Sequence, residues 1–140
     1  KPLEAIRIGV HACILGMIFM GSLGLVFLFG GPWIVKVFGA TPEVVELAGQ
    51  LIRIAAASQI FMAAFFVLGG VLRGAGDTRS PLMVTLIGTI PLRLGLVWLF
   101  GFYFGWGIQG VWWACVIDWA MRAAMMFYFF RRGKWKDTVV

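Results

Sequence analysis

The sequence predicts an all-α membrane protein with four transmembrane helices. Three observations carry that fold class. Apolar residues make up 61% and charged residues 13% of the 140 residues, against about half and a quarter in a soluble domain, and the mean hydropathy is +0.95. Long uncharged stretches recur with turn residues between them. The bases gather in alternate gaps rather than in every gap. A water-soluble globule, a disordered chain, collagen and a coiled coil are excluded. Four spans of ~20 residues fit within the chain with short loops to spare. The net charge of +6 forms no single basic stripe, so it reads as membrane topology and not as nucleic-acid binding.

The first span is expected over 8–31, a stretch with one His and no charge. Gly30-Gly31-Pro32 is expected to end its regular helix, because Pro32 has no N–H and crowds the preceding turn. A short interfacial piece over 33–38 follows, anchored by Trp33. Thr41-Pro42-Glu43 restarts a helix: Thr41 suits the cap, Pro42 the first helical position, and Glu43 and Glu46 the positive end of the dipole. The second span is placed over 47–72, with Arg53 at the interface. Arg73 to Pro81 is the one strongly polar internal loop, its glycines supplying a left-handed cap for helix two, and Ser80-Pro81 are expected to open helix three as cap and first residue. The third span covers 82–104 and holds Pro91 and Arg93. Gly101 to Gly107 forms an uncharged aromatic turn. The fourth span covers 108–130 and holds Asp118 and Arg122.

Lys1, Arg7, Arg73, Arg79, Arg131, Arg132, Lys134 and Lys136 then fall on one side, and the other side has Lys36 with Glu43 and Glu46 beside it. Positive residues mark the cytoplasm. Both termini and the Arg73–Arg79 loop are therefore expected to be cytoplasmic, in a cell (inner) membrane. The chain begins at Lys1 and not at Met, and is expected to be a portion of a longer protein.

Arg93 lies 11 residues past Leu82, roughly 16 Å down at a rise of ~1.5 Å per residue. Asp118 lies ten residues past Ile108, roughly 15 Å from the other surface by the same rise. Both fall near the middle of a core ~30 Å thick, and Arg122 follows Asp118 by one turn on the same helix face. Charges at that depth cost at least ~2.5–3.5 kcal/mol, so they should face protein or water. The expectation is an ionised Asp118 held by Arg93, Arg122 or both, a buried lock between helices three and four more than a proton relay. Ser58 and Gln59 are the other polar groups within the spans. They read as interhelical hydrogen-bond glue, with a polar lining as the functional alternative. Met121, Met125 and Met126 read as packing. Cys13 and Cys115 carry no CxxC or disulfide spacing and read as buried small apolar residues. One His and six acids argue against a structural metal site. No Ser/His or paired-acid set stands at usable spacing, so no catalytic residues, cofactor or enzyme activity are expected. Gly74-Ala75-Gly76 lacks a following Walker lysine and reads as a capped turn.

The loops carry a specific resemblance. Val71-Leu72-Arg73-Gly74-Ala75-Gly76-Asp77-Thr78-Arg79-Ser80-Pro81 resembles the LRGxGDTRxP signature of the MATE family, the multidrug and toxic compound extrusion transporters. Lys1-Pro2-Leu3-Glu4-Ala5 resembles the tail of that family's GAGKPEEA loop, and Phe38-Gly39-Ala40-Thr41-Pro42-Glu43-Val44 its FGxxPEV segment. Arg122 and then Phe130 to Lys136 resemble its carboxyl end, RFRRGKWK. The match runs through the chain in order. It implies a part of a fold of two six-helix bundles, namely helices nine to twelve. It implies export of cationic, amphipathic compounds in exchange for protons or sodium, with the bilayer, the missing amino-terminal helices and small organic cations as partners. The family's key acid on its first helix lies outside this sequence. Some sodium-coupled members carry an acid on helix ten; Ser58 to Phe66 has none, which favours protons. Two alternatives stay open: a flippase-type exporter of the same superfamily, or a stand-alone four-helix scaffold subunit.

Overall fold

The structure is a computed structural model that describes residues 2–137, without the side chains of Pro2 and Trp135. Lys1, counted above on the cytoplasmic side, lies outside the described residues. Four long helices run up and down: α1 (Pro2–Val37), α2 (Pro42–Gly74), α3 (Arg79–Tyr103) and α4 (Gly107–Arg132). Among the described residues there is no strand. A short 3-10 turn, Lys134–Asp137, follows α4. The first three helices are long and apolar enough to cross a membrane by length and composition. The fourth is not among them by that measure. Its 26 residues reach roughly 39 Å at ~1.5 Å per residue. It carries Asp118 and Arg122 buried against its neighbours, not exposed to lipid.

The expected break at Pro32 is absent: α1 runs unbroken to Val37, and residues 33–37 belong to it instead of forming a separate interfacial piece. Helix packing explains the difference. A Cβ on Gly49 of α2 would stand 3.4 Å from Pro32 Cγ, and one on Gly31 would stand 3.0 Å from Ile52 Cγ2. The proline ring is thus seated against a glycine of the antiparallel neighbour, and that contact offsets one missing backbone bond. Gly9, Gly16, Gly24 and Gly31 line the same face of α1. Added Cβ atoms there would stand 3.1 Å from Val71, 2.9 Å from Val67, 3.0 Å from the Ala56 carbonyl and 3.0 Å from Ile52 respectively. The stripe lets the two backbones approach closely, as in membrane helix pairs. The rest of α1 is exposed, including Leu15, Phe19, Phe29 and Trp33.

The loop Arg73–Ser80 folds as the sequence suggests but with different capping atoms. Gly76 takes φ +88°. Its N–H donates to the Arg73 carbonyl and the Asp77 N–H donates to the Leu72 carbonyl, a Schellman ending of α2. The start of α3 lies two residues before Pro81, at Arg79. Asp77 supplies the capping oxygens: the Ser80 N–H donates to Oδ1 at 3.0 Å and the Ser80 hydroxyl to Oδ2 at 2.6 Å. A carboxylate caps better than a hydroxyl already committed as a donor. Thr41 likewise makes no side-chain capping bond, and Pro42 occupies the first turn of α2. At this end of the bundle Phe65, Leu68, Leu72, Val84, Met126 and Phe130 form a buried core from α2, α3 and α4. Ala5, Ile6 and Cys13 of α1 pack on it. Met125 joins its rim, while Met121 is exposed. Cys13 and Cys115 are half-buried, not fully buried, because each faces the side of its helix between core and exterior.

Candidate functional site

Helix α3 is not uniform. Its hydrogen bonding widens to π-helical turns at Gly88–Leu92 and again at Trp98–Tyr103, with an α-helical segment, Arg93–Val97, between them. Pro91 lies inside the first of these turns. A proline cannot donate to the ladder, and the wider turn accommodates it. Arg93 follows directly, on the face that meets α4.

There the three deep charges converge. Arg93 donates from Nε and Nη2 to Asp118 Oδ2, at 2.9 and 2.7 Å. Arg122 donates from Nε to Asp118 Oδ1 at 2.9 Å. Asp118 is wholly buried and Arg122 nearly so, while the Arg93 side chain remains 34% exposed. Both carboxylate oxygens are therefore occupied by charge-assisted bonds. Nη2 of Arg122 is buried without a hydrogen-bond partner. The charged groups bridge α3 and α4.

Two residues that the sequence reading did not single out shape this cluster. A Cβ on Gly88 would collide with the Arg122 guanidinium, so the buried glycine makes the space the guanidinium fills. Its only sequence signal is a glycine three residues ahead of Pro91. Trp119 lies beneath both cations, 5.0 Å from Arg122 Cζ and 5.6 Å from Arg93 Cζ to the ring centre. It also contacts Phe65 and Phe66 of α2, at 5.6 and 5.9 Å between centroids. The indole's negative face adds a weak second counter-charge for the guanidiniums. Its position next to Asp118 was the available hint.

The structure does not bring Ser58 or Gln59 into this cluster. Ser58 is buried and donates to the Ala55 carbonyl of its own helix at 2.6 Å. That local bond satisfies the hydroxyl, so it is not the interhelical glue expected. The cross-helix amide pair lies elsewhere, with Gln109 Nε2 of α4 donating to Gln50 Oε1 of α2 at 2.6 Å. Of the loop residues, Arg73 and Arg79 are exposed, Gly76 and Asp77 form the turn and cap, Thr78 precedes α3, and Gly74 ends α2. At the opposite end of the bundle a cleft of about 560 Å³ opens between the end of α1 and the start of α2. Lys36, Glu46 and Arg53 line it together with Pro32 and Gly49. His11 is exposed, with Nδ1 2.7 Å from the Arg7 carbonyl.

The family model MatE matches residues 1–99. The "Probable multidrug resistance protein NorM" of Thermotoga maritima is 30% identical over 128 residues, 91% of this chain and 27% of that protein. The protein of the same name from Burkholderia pseudomallei is 33% identical over 136 residues, 94% of this chain and 29% of that protein. The "Multidrug resistance protein NorM" of Burkholderia vietnamiensis is 32% identical over 134 residues, 92% of this chain and 29% of that protein. The chain spans less than a third of the length of these relatives. No solved structure matches it.

Proposed function

This chain belongs to the MatE family, and from that premise we propose that it forms a four-helix portion of a secondary antiporter that exports cationic or amphipathic drugs and toxins. The observation that carries the reading is the similarity to multidrug resistance proteins over more than nine-tenths of the chain, joined to three helices apolar and long enough to cross a membrane. It is a multi-pass membrane protein. We place it in the cell (inner) membrane with both termini cytoplasmic.

In this reading the coupling ion is a proton, and the carboxylate that carries it lies on helices outside these residues. Ile54 to Leu72 of α2 holds no acid that would serve a sodium ion. Asp118 has both oxygens engaged by guanidiniums of its own helix and the neighbouring one. Its part is to hold α3 to α4. A rigid α3–α4 unit suits alternating access, in which packed bundles rock as bodies around a central site.

The test compares a full-length protein carrying these helices with the 140-residue chain expressed alone. The full-length protein should lower ethidium accumulation in cells and lose that effect when the proton gradient is collapsed. The chain alone should insert and leave accumulation unchanged. Proton-dependent dye efflux by the four helices alone would overturn the division of labour.

A further inference from the structure

Two guanidiniums share one carboxylate at Asp118, so the cluster carries one positive charge that nothing among the described residues balances. A surplus charge near mid-membrane is costly unless it meets a counter-charge or water. Arg122 cannot recruit one directly, because its unpartnered Nη2 is buried. Arg93 can: its side chain is one-third exposed, and its bonds to Asp118 use Nε and Nη2, leaving Nη1 for an outside acceptor. Beside it lies a half-open aromatic surface of Trp119 and Phe66, the latter 53% exposed.

We propose that Arg93, backed by Arg122 and flanked by Trp119, is a binding site for a carboxylate group. A single negative charge brings the cluster to neutrality. A phosphate monoester carries about −1.5 to −2 at neutral pH and would overshoot. The planar guanidinium matches a carboxylate in geometry as well as charge. The group has two sources: an aromatic carboxylate in a small amphiphile, which would stack on Trp119 and Phe66, or an Asp or Glu side chain from helices outside these 140 residues. Either source completes the same site. The second source rests on the reading of this chain as a portion of a longer transporter; the binding measured below does not require that protein to transport.

The experiment uses the full-length protein carrying these helices, purified in nanodiscs. Binding of 2-naphthoate and of its neutral analogue 2-naphthamide is measured by equilibrium dialysis. If the carboxylate comes from a small molecule, the naphthoate should bind at least about tenfold more tightly than the amide. That preference should fall to within about twofold in Arg93→Gln. Arg93→Lys keeps the charge but loses the fork, and should fall between the two. If the carboxylate comes from the protein, the naphthoate will show no preference. The Arg93→Lys variant, treated with a carbodiimide, should then form a zero-length amide between residue 93 and an acid outside these 140 residues, told apart by peptide mapping from any amide to Asp118. A naphthoate preference that survives Arg93→Gln overturns the proposal. So does the absence of both the preference and the cross-link.

Discussion

Asp118 accepts from Arg93 and Arg122 at once, so the cost of removing it exceeds that of removing either partner. Asp118→Asn leaves two guanidiniums facing each other without a counter-charge, and loss of one partner from a buried pair costs roughly 3–5 kcal/mol. The full-length Asp118→Asn protein should melt well below the parent in detergent, or fail to accumulate. Arg93→Gln should lose less, because Asp118 and Arg122 remain as a balanced pair. The Asp118→Asn/Arg93→Gln double variant should recover part of the single Asp118→Asn loss. Normal melting with abolished efflux in Asp118→Asn would identify a proton relay in place of the lock. Gly88 gives a second measurement at this scale. A methyl there meets the Arg122 guanidinium, and overpacking of this kind costs about 1–3 kcal/mol. Gly88→Ala should therefore lower the melting temperature, and lower it less in an Arg122→Ala background, since the two residues share one contact.

Between α2 and α3 two glycines of one short motif have opposite roles. Gly76 sits at φ +88° and closes the Schellman turn. An alanine there pays roughly 1–2 kcal/mol for the left-handed conformation. Gly74 is the last residue of α2, has no positive φ, and has open space around its Cβ position. Alanine at Gly74 should be neutral or stabilising, by up to about 0.5–1 kcal/mol. Thermal melting of Gly76→Ala and Gly74→Ala in the full-length protein should separate them, and equal losses would contradict the capping geometry. Asp77→Ala should cost about 1 kcal/mol, as other lost caps do, because it removes both bonds to Ser80.

For the molecule as a whole, the charge distribution predicts an orientation that labelling tests directly. Arg73, Arg79, Arg131 and Arg132 crowd one end of the bundle, and Lys36, Glu43 and Glu46 lie at the other. A cysteine replacing Ser80 in a cysteine-free full-length protein should resist an impermeant thiol reagent applied to intact cells. One replacing Ala40 should label. The reverse pattern would invert the topology and place the basic face outside, against the rule that positive loops stay in the cytoplasm.

The helical class, the number of helices and the placing of the polar loop were legible in the sequence, because each depends on local quantities: apolar run length, glycine at a turn, charges between runs. The pairing of Arg93 with Asp118 was legible too, since a helix converts residue count to distance and two antiparallel helices bring positions at matching distances together. Pro32 was misread for the opposite reason. Its local preference is to end a helix, but in the folded pair α1 continues through it with its ring lying against Gly49 of α2, seventeen positions away. The capping role of Asp77 in place of Ser80, and the self-satisfied hydroxyl of Ser58, depended on which of several near-equal hydrogen bonds the folded backbone presents. Gly88 and Trp119 acquire meaning only when α3 and α4 lie side by side. Sequence by itself predicted that Arg93 and Asp118 lie at similar depth, with Arg122 one turn further along the same helix face. Tertiary structure alone decided that the two arginines share one carboxylate, with a surplus positive charge left facing outward, because the pairing of fixed charges depends on which faces two helices turn toward each other.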